Sequence, residues 1–181
     1  LFLFPPTFIV RHPSLHNFYD LFFALKLSIV PFSRYLFNSG VVTVVTIIVA
    51  VLISTMGAYA LSRMRFPGKE IIFGVIIMSL MFSPEAVKIT RYLIVTKLGL
   101  MNSYAGHILP HLAIPVCIFL IKQFMDQIPQ ALSEAAKIDG ASEWHVFSKV
   151  IVPNVKPAIG TAAILTFQLV RGDVETSTYF M

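Results

Sequence analysis

The sequence predicts an all-α, polytopic integral membrane protein, and three observations carry that prediction. Hydrophobic residues make up 56% of its 181 residues and charged residues only 13%, far from the balance of a soluble domain. The stretch from Tyr35 to Ser62 holds no charge and is long enough to cross a hydrocarbon core of about 30 Å. Later apolar runs are separated by one long polar segment, Ile128 to Pro153, that carries strong helical signals of its own.

In chain order, Leu1 to Val10 is apolar but too short to span, contains Pro5-Pro6 and lacks the basic start of a signal peptide. It is expected to be the tail of a preceding helix. The chain begins without methionine and stops at Met181 with no closing helix, so the expectation is one domain over residues 1–181, incomplete at both ends. Arg11 to Arg34 is mixed and rich in aromatic rings, including Phe18, Tyr19, Phe22 and Phe23. Such rings sit at headgroup level, so an interfacial segment is favoured over a partner-docking one.

Within the first span, Thr43, Thr46, Ala50, Ser54 and Gly57 form a small, weakly polar stripe at helical spacing. Small residues let helices approach closely, and packing is favoured over a pore lining. Arg63 to Lys69 is a compact basic turn. A second span is placed at residues 69–89, ending in a polar segment with Glu85, Lys88, Arg91 and Lys97. Glu85 and Lys88 are three apart, the spacing of an ion pair on a solvated helix end. Docking of a soluble partner there is the less favoured reading.

Ala105 to Met125 is predicted to be a third span. His107 and His111 are four apart, a spacing that suits a metal pair on one helix face. Pro110 interrupts that face, and no carboxylate or thiol lies nearby in sequence, so histidines at the outer interface are favoured and no metal is expected. Pro157 to Val170 is apolar but only about 21 Å long as a helix. To cross, it must recruit Asn154 to Lys156 or carry Arg171 and Asp173 to the far interface.

The polar segment reads as two short helices at an angle. Pro129 suits a first helical position; Leu132, Ala135 and Ala136 then share one face, with Gln130, Glu134 and Lys137 on the other. Gly140 is a C-terminal stop. Asp139 opposes the helix dipole, so it is assigned to capping the next helix, together with Ser142. In that second helix Trp144, Phe147 and Ile151 share a face, and Pro153 ends it.

These residues also carry a resemblance. Glu134-Ala135-Ala136, three residues, Gly140, nine residues and Val150-Ile151-Val152-Pro153 resemble the EAA signature of ABC importer permeases. Phe119 to Phe124, Asp139-Gly140-Ala141-Ser142, Leu98 to Tyr104 and Ile108-Leu109-Pro110 are similar to the carbohydrate-uptake branch, the relatives of the smaller maltose-type permease. The resemblance implies five to six transmembrane helices in the complete protein and a cytoplasmic coupling loop, here about residues 128–153. It assigns that loop's contact with the ATPase to Glu134, Ala135, Ala136, Asp139, Gly140, Ala141 and Pro153. The implied partners are a second permease subunit, an ABC ATPase dimer carrying ATP and magnesium, an extracytoplasmic solute-binding protein and the bilayer of a prokaryotic cell membrane. No substrate residue is implied. The chain departs from the family pattern at Thr90-Arg91, where Ile-Pro is common, and at Arg171-Gly172-Asp173, where Trp precedes Asn or Asp.

What is missing narrows the function. No phosphate-binding G-x-x-x-x-G-K-[ST] loop occurs, and H-E-x-x-H, C-x-x-C and G-x-S-x-G are also absent, so the chain is expected to be no enzyme and to hold no cofactor. The formal charge of +5 is spread over loops and ends, without the clustered stripe of a nucleic-acid surface. The single cysteine, Cys117, permits no internal disulfide. Acidic residues are scarce within the spans, which disfavours the alternative of an ion- or proton-coupled secondary transporter. The 14 Lys and Arg residues divide evenly between the two sides. Charge alone therefore leaves orientation open; the dense turn at Arg63 to Lys69 leans cytoplasmic.

Overall fold

The computed structural model describes residues 32–173 together with Tyr19 and Phe23. The expectations for Leu1 to Val10, and for nearly all of Arg11 to Arg34, lie outside the described residues. The chain divides into units of residues 1–40 and 41–181, and the core belongs to the second. All regular structure among the described residues is helical.

Helix α1 (Phe32–Arg63) is the first predicted span, and its stretch Ser33–Arg63 is long and apolar enough to cross a membrane by itself. Thr43, Thr46, Ala50 and Ser54 are buried along one face, while Val44, Ile48, Leu52 and Met56 are exposed. The small stripe is therefore a packing face, and the bulky apolar face is left for lipid or a partner. Thr55 donates its hydroxyl to the Val51 carbonyl at 2.7 Å, which satisfies a polar group within the helix itself. Enlarging the stripe should be destabilising: Ala50→Leu is expected to cost about 1–3 kcal/mol, against less than about 0.5 kcal/mol for the exposed Ile48→Leu. Melting of the purified protein measures both, and equal melting temperatures would remove the packing role.

The second predicted span is not one helix. Helix α2 (Lys69–Ser79) is 11 residues long and has no buried residue. It then tightens, with Leu80, Met81 and Phe82 donating to carbonyls three residues back. A 3-10 turn, Pro84–Val87, leads into α3 (Lys88–Lys97). Proline explains the break: it lacks an N–H, and it disfavours helical backbone at Ser83.

The third predicted span is bent. Helix α4 (Tyr104–Ile108) continues into a 3-10 turn, Leu109–His111, and α5 (Pro115–Asp126) follows, the two parts meeting at 44°. Pro110 sits within the turn, but the break falls before Pro115, where Ile114 is extended as the residue ahead of a proline prefers. Ser103 caps α4 by accepting from the Gly106 N–H at 3.1 Å. A Cβ on Gly106 would lie 2.2 Å from the Leu100 carbonyl oxygen, so only glycine fits there.

The polar segment folds as α6 (Gln130–Ile138) and α7 (Glu143–Asn154), which bends 79° into α8 (Lys156–Gly172). Within α7 the stretch Val146–Ile151 is π-helical, an underwound form common at functional sites. Pro153 does not end α7, which runs on to Asn154; the bend comes at Val155. Helix α8 takes in part of both expected extensions, starting at Lys156 and carrying Arg171 in its last turn, with Asp173 just beyond its end.

Helices α5 and α8 pack along each other. Cys117, Ile121 and Met125 of α5 and Ala158 and Ala162 of α8 join Ala50, Ala58 and Tyr59 of α1 and Val146, Phe147 and Ile151 of α7 in one core. The Cys117 thiol lies 3.7 Å from the Ala162 carbonyl oxygen and 3.8 Å from the Thr166 hydroxyl.

Candidate functional site

Helix α6 ends in a complete Schellman motif. The Ala141 N–H donates to Ala136 O at 3.0 Å and the Gly140 N–H to Lys137 O at 3.0 Å, with Gly140 at φ +85°. Ser142, not Asp139, caps the next helix: its Oγ accepts the His145 N–H at 3.3 Å. Asp139 instead is the C-cap of α6, directly after its last residue, Ile138. Pro129 precedes the first helical residue rather than occupying it. These corrections follow from the caps, since the Schellman turn fixes Asp139 before Gly140 and leaves Ser142 next to the new helix.

The faces of α6 also differ from expectation. Ser133 is buried and Ala136 half-buried, whereas Leu132, Ala135 and Ile138 point outward, Ile138 with 85% of its surface exposed. The apolar strip therefore turns away from the chain's own core. Glu134, Asp139, Gly140 and Pro153 are exposed and Ala141 is half-buried. Glu134 to Ala141 thus lie together on the helix and its elbow, with Pro153 apart from them near the end of α7. Trp144 does not share the buried face of Phe147 and Ile151; its exposed ring packs on Phe147 at a centroid distance of 5.2 Å.

Underneath, the segment is tied to the membrane helices by polar side chains. Arg63, the last residue of α1, donates to Met125 O at 2.5 Å and Ile128 O at 2.6 Å. Its guanidinium thus adds a donor to the Met125 carbonyl, which also accepts the Ile128 N–H at 3.2 Å, and supplies one to the Ile128 carbonyl at the entry to α6. Ser62 donates to Asp126 Oδ1 at 2.6 Å, and Lys122 pairs with Asp126 Oδ2 at 2.5 Å. The Lys122 ammonium also lies 4.2 Å from the centre of the Phe73 ring, a cation–π contact that brings α2 to α5. Tyr59 donates to Glu143 Oε2 at 2.8 Å, and Lys137 pairs with Glu143 Oε1. Bonds from Lys137 and from Tyr59 hold the Glu143 carboxyl below its usual pKa range.

Tyr59, Arg63, Asp126 and Glu143 were not singled out by sequence reasoning. Arg63 was assigned only to the basic turn, and Tyr59 only to the charge-free span. Their spacing of one helical turn near the end of α1 was the sole local signal.

At the opposite end, His107 and His111 are buried, with ring centroids 5.9 Å apart. Asp173, far away in sequence, lies 2.9 Å from His111 Nε2, and Arg91 faces the same carboxylate at 3.7 Å. Arg91 is thus engaged with the end of α8 rather than simply solvated. The side chain of Glu85, and with it the expected Glu85–Lys88 pair, lies outside the described residues. Among the described residues no group of three or more His, Cys, Asp or Glu is placed to hold a metal ion.

Known proteins are similar to this chain in sequence and in fold. The chain is 37% identical over 145 residues to the trehalose transport system permease protein SugB of Mycobacterium tuberculosis, covering 79% of this chain and 53% of that protein. It is 34% identical over 165 residues to the sulfoquinovosyl glycerol transport system permease protein SmoH of Agrobacterium fabrum, covering 90% and 56%. The chain thus spans about half the length of these curated relatives. Its fold is similar to a chain in the crystal structure of a bacterial ABC transporter involved in the import of the acidic polysaccharide alginate. There the TM-score is 0.68 at 27% identity, covering 76% of this chain and 48% of the other. Residues 47–174, which hold the core, both arms of the elbow and nearly all of their anchorage, match a transporter family along their length. The chain therefore belongs to the family described as binding-protein-dependent transport system inner membrane component.

Proposed function

We propose that this chain forms part of the permease subunit of an ATP-driven importer for a sugar or sugar-like solute. In this reading α6 and the elbow at Gly140 receive a separate ATPase subunit, which binds ATP and magnesium and does the hydrolysis. A second permease subunit completes the pathway, and an extracytoplasmic binding protein delivers solute. The elbow faces the cytoplasm of a prokaryotic cell, with the spans in its cell membrane.

One observation carries the reading. A nine-residue helix is anchored through polar bonds beneath, yet turns Leu132, Ala135 and Ile138 outward. An exposed apolar strip on a firmly held helix is what helix-in-groove recognition requires. The sugar assignment is supported by the names of the relatives, a trehalose and a sulfoquinovosyl glycerol permease protein. A secondary carrier would need no such outward strip, and family membership disfavours it.

The test is co-purification of the complete permease with its ATPase. Ile138→Asp places a charge in the groove contact and is expected to weaken association at least tenfold, about the 1.4 kcal/mol of one lost apolar contact, with normal membrane insertion. ATPase binding that survives Ile138→Asp unchanged would overturn the docking role. Trehalose and related disaccharides, added to the matching binding protein, should raise its melting temperature; an amino acid or an inorganic ion doing so instead would overturn the sugar assignment.

A further inference from the structure

Two contacts tie α1 to the polar segment, one just before α6 and one just after its elbow. At the entry, Arg63 of α1 holds the Ile128 carbonyl at 2.6 Å. At the exit, Glu143 accepts from Tyr59 of α1 at 2.8 Å through one oxygen and from Lys137 of α6 through the other. One carboxylate therefore joins the span to both arms of the elbow.

The two halves of the exit clasp differ in character. Lys137 and Glu143 have side chains about half exposed, 48% and 52%, and such a pair is weak and easily exchanged for water. Tyr59 is 5% exposed, and its ring meets Phe147 edge-on at 5.1 Å. Packing fixes where its hydroxyl points, and a hydrogen bond from a buried donor to a carboxylate is among the stronger kinds. The elbow between α6 and α7 is closed by the Schellman bonds from Gly140 to Lys137 and from Ala141 to Ala136, both 3.0 Å, so what holds the start of α7 also holds the end of α6.

We propose that Tyr59 and Glu143 are positioning residues that make α6 move as one body with α1, so that displacement of the elbow reaches the membrane span. The proposal rests on the assignment of α6 as the ATPase-receiving helix, but that assignment requires no particular tie to α1. Arg63 alone would leave α6 free to swing about its entry, whereas a second attachment at the exit removes that freedom. Lys137 sets the angle between the two arms.

The experiment uses the complete permease with its ATPase, in a Cys117→Ser background, with spin labels on the exposed positions Ile53 of α1 and Asp139 at the exit of α6. The distance between labels is measured without nucleotide and with Mg-ATP plus vanadate. The expected wild-type result is one narrow distribution, the same in both states. Tyr59→Phe, which keeps the ring on Phe147, should raise a second, displaced population about tenfold, the worth of one hydrogen bond to a charged group. Glu143→Ala should match it, the double variant should be no worse than either single, and Glu143→Gln, which still accepts from Tyr59, should stay close to wild type. A narrow distribution in Tyr59→Phe, or additive effects in the double variant, would overturn the clasp. Absence of the ATPase from the wild-type preparation would overturn the functional reading instead, and the label distances in the permease alone would still decide the clasp.

Discussion

Gly140→Val is expected to leave membrane insertion intact while weakening ATPase association or unlinking ATP hydrolysis from uptake. The reason is backbone conformation rather than crowding. Gly140 sits at φ +85°, and a Cβ there would meet nothing within 4 Å. A β-branched residue held in left-handed backbone is strained by about 1–3 kcal/mol, and relieving it would undo the Schellman bonds to Ala136 and Lys137. The elbow would open, and Glu134 and the strip of Leu132, Ala135 and Ile138 would no longer be presented together. Because the penalty is conformational, the order should be Val worst, Ala intermediate and Asn mildest, since Asn tolerates the left-handed region. Glu134→Lys should give a milder version through charge alone. Subunit co-purification and solute-stimulated ATP hydrolysis in reconstituted vesicles measure this. Wild-type values for Gly140→Val in both would remove the elbow from the coupling path.

The second large effect is expected at Arg63. Its guanidinium reaches two carbonyls, Met125 O and Ile128 O, at the point where α5 gives way to α6. Arg63→Ala leaves Ile128 O without this donor, at about 1–3 kcal/mol where water does not reach it, while Met125 O keeps the backbone N–H of Ile128. Arg63→Lys should recover part of this loss, because both bonds leave one nitrogen, Nη2, and an ammonium carries enough donors for two carbonyls but on a shorter, more flexible stem. A lower melting temperature of the purified permease, in the order Ala below Lys below Arg, is the expected result. Equal stability of Arg63→Ala and wild type would show that Met125 and Ile128 need no cap.

How much was legible depended on the range of the physics involved. The helical membrane class, the α1 span and the packing stripe from Thr43 to Ser54 follow from apolar transfer and helical periodicity, both properties of neighbouring residues. The elbow was legible too, because a glycine after a helical stretch and a serine before the next are local signals, and the EAA-like residues fall on that elbow. Some misreadings were also local: Pro84 and Pro115 disfavour helical backbone at the residue before each, and Pro129 stands just ahead of its helix rather than in it.

The rest was decided by tertiary structure. Ile138 and Leu132 look like core residues by type, and only the packing of α6 against the π-helical stretch of α7 turns them outward while Ser133 turns in. Tyr59 meets Glu143 across 84 residues, and Asp173 meets His111 from the far end of α8. Single-sequence patterns carry no information on such pairs, because each partner's neighbours are those of an ordinary helix end. The sequence by itself determined that the chain is a helical membrane protein with a polar elbow at Gly140. Which side chains hold that elbow to the membrane helices was settled only when α1, α5 and α8 packed together and their ends came within hydrogen-bonding reach.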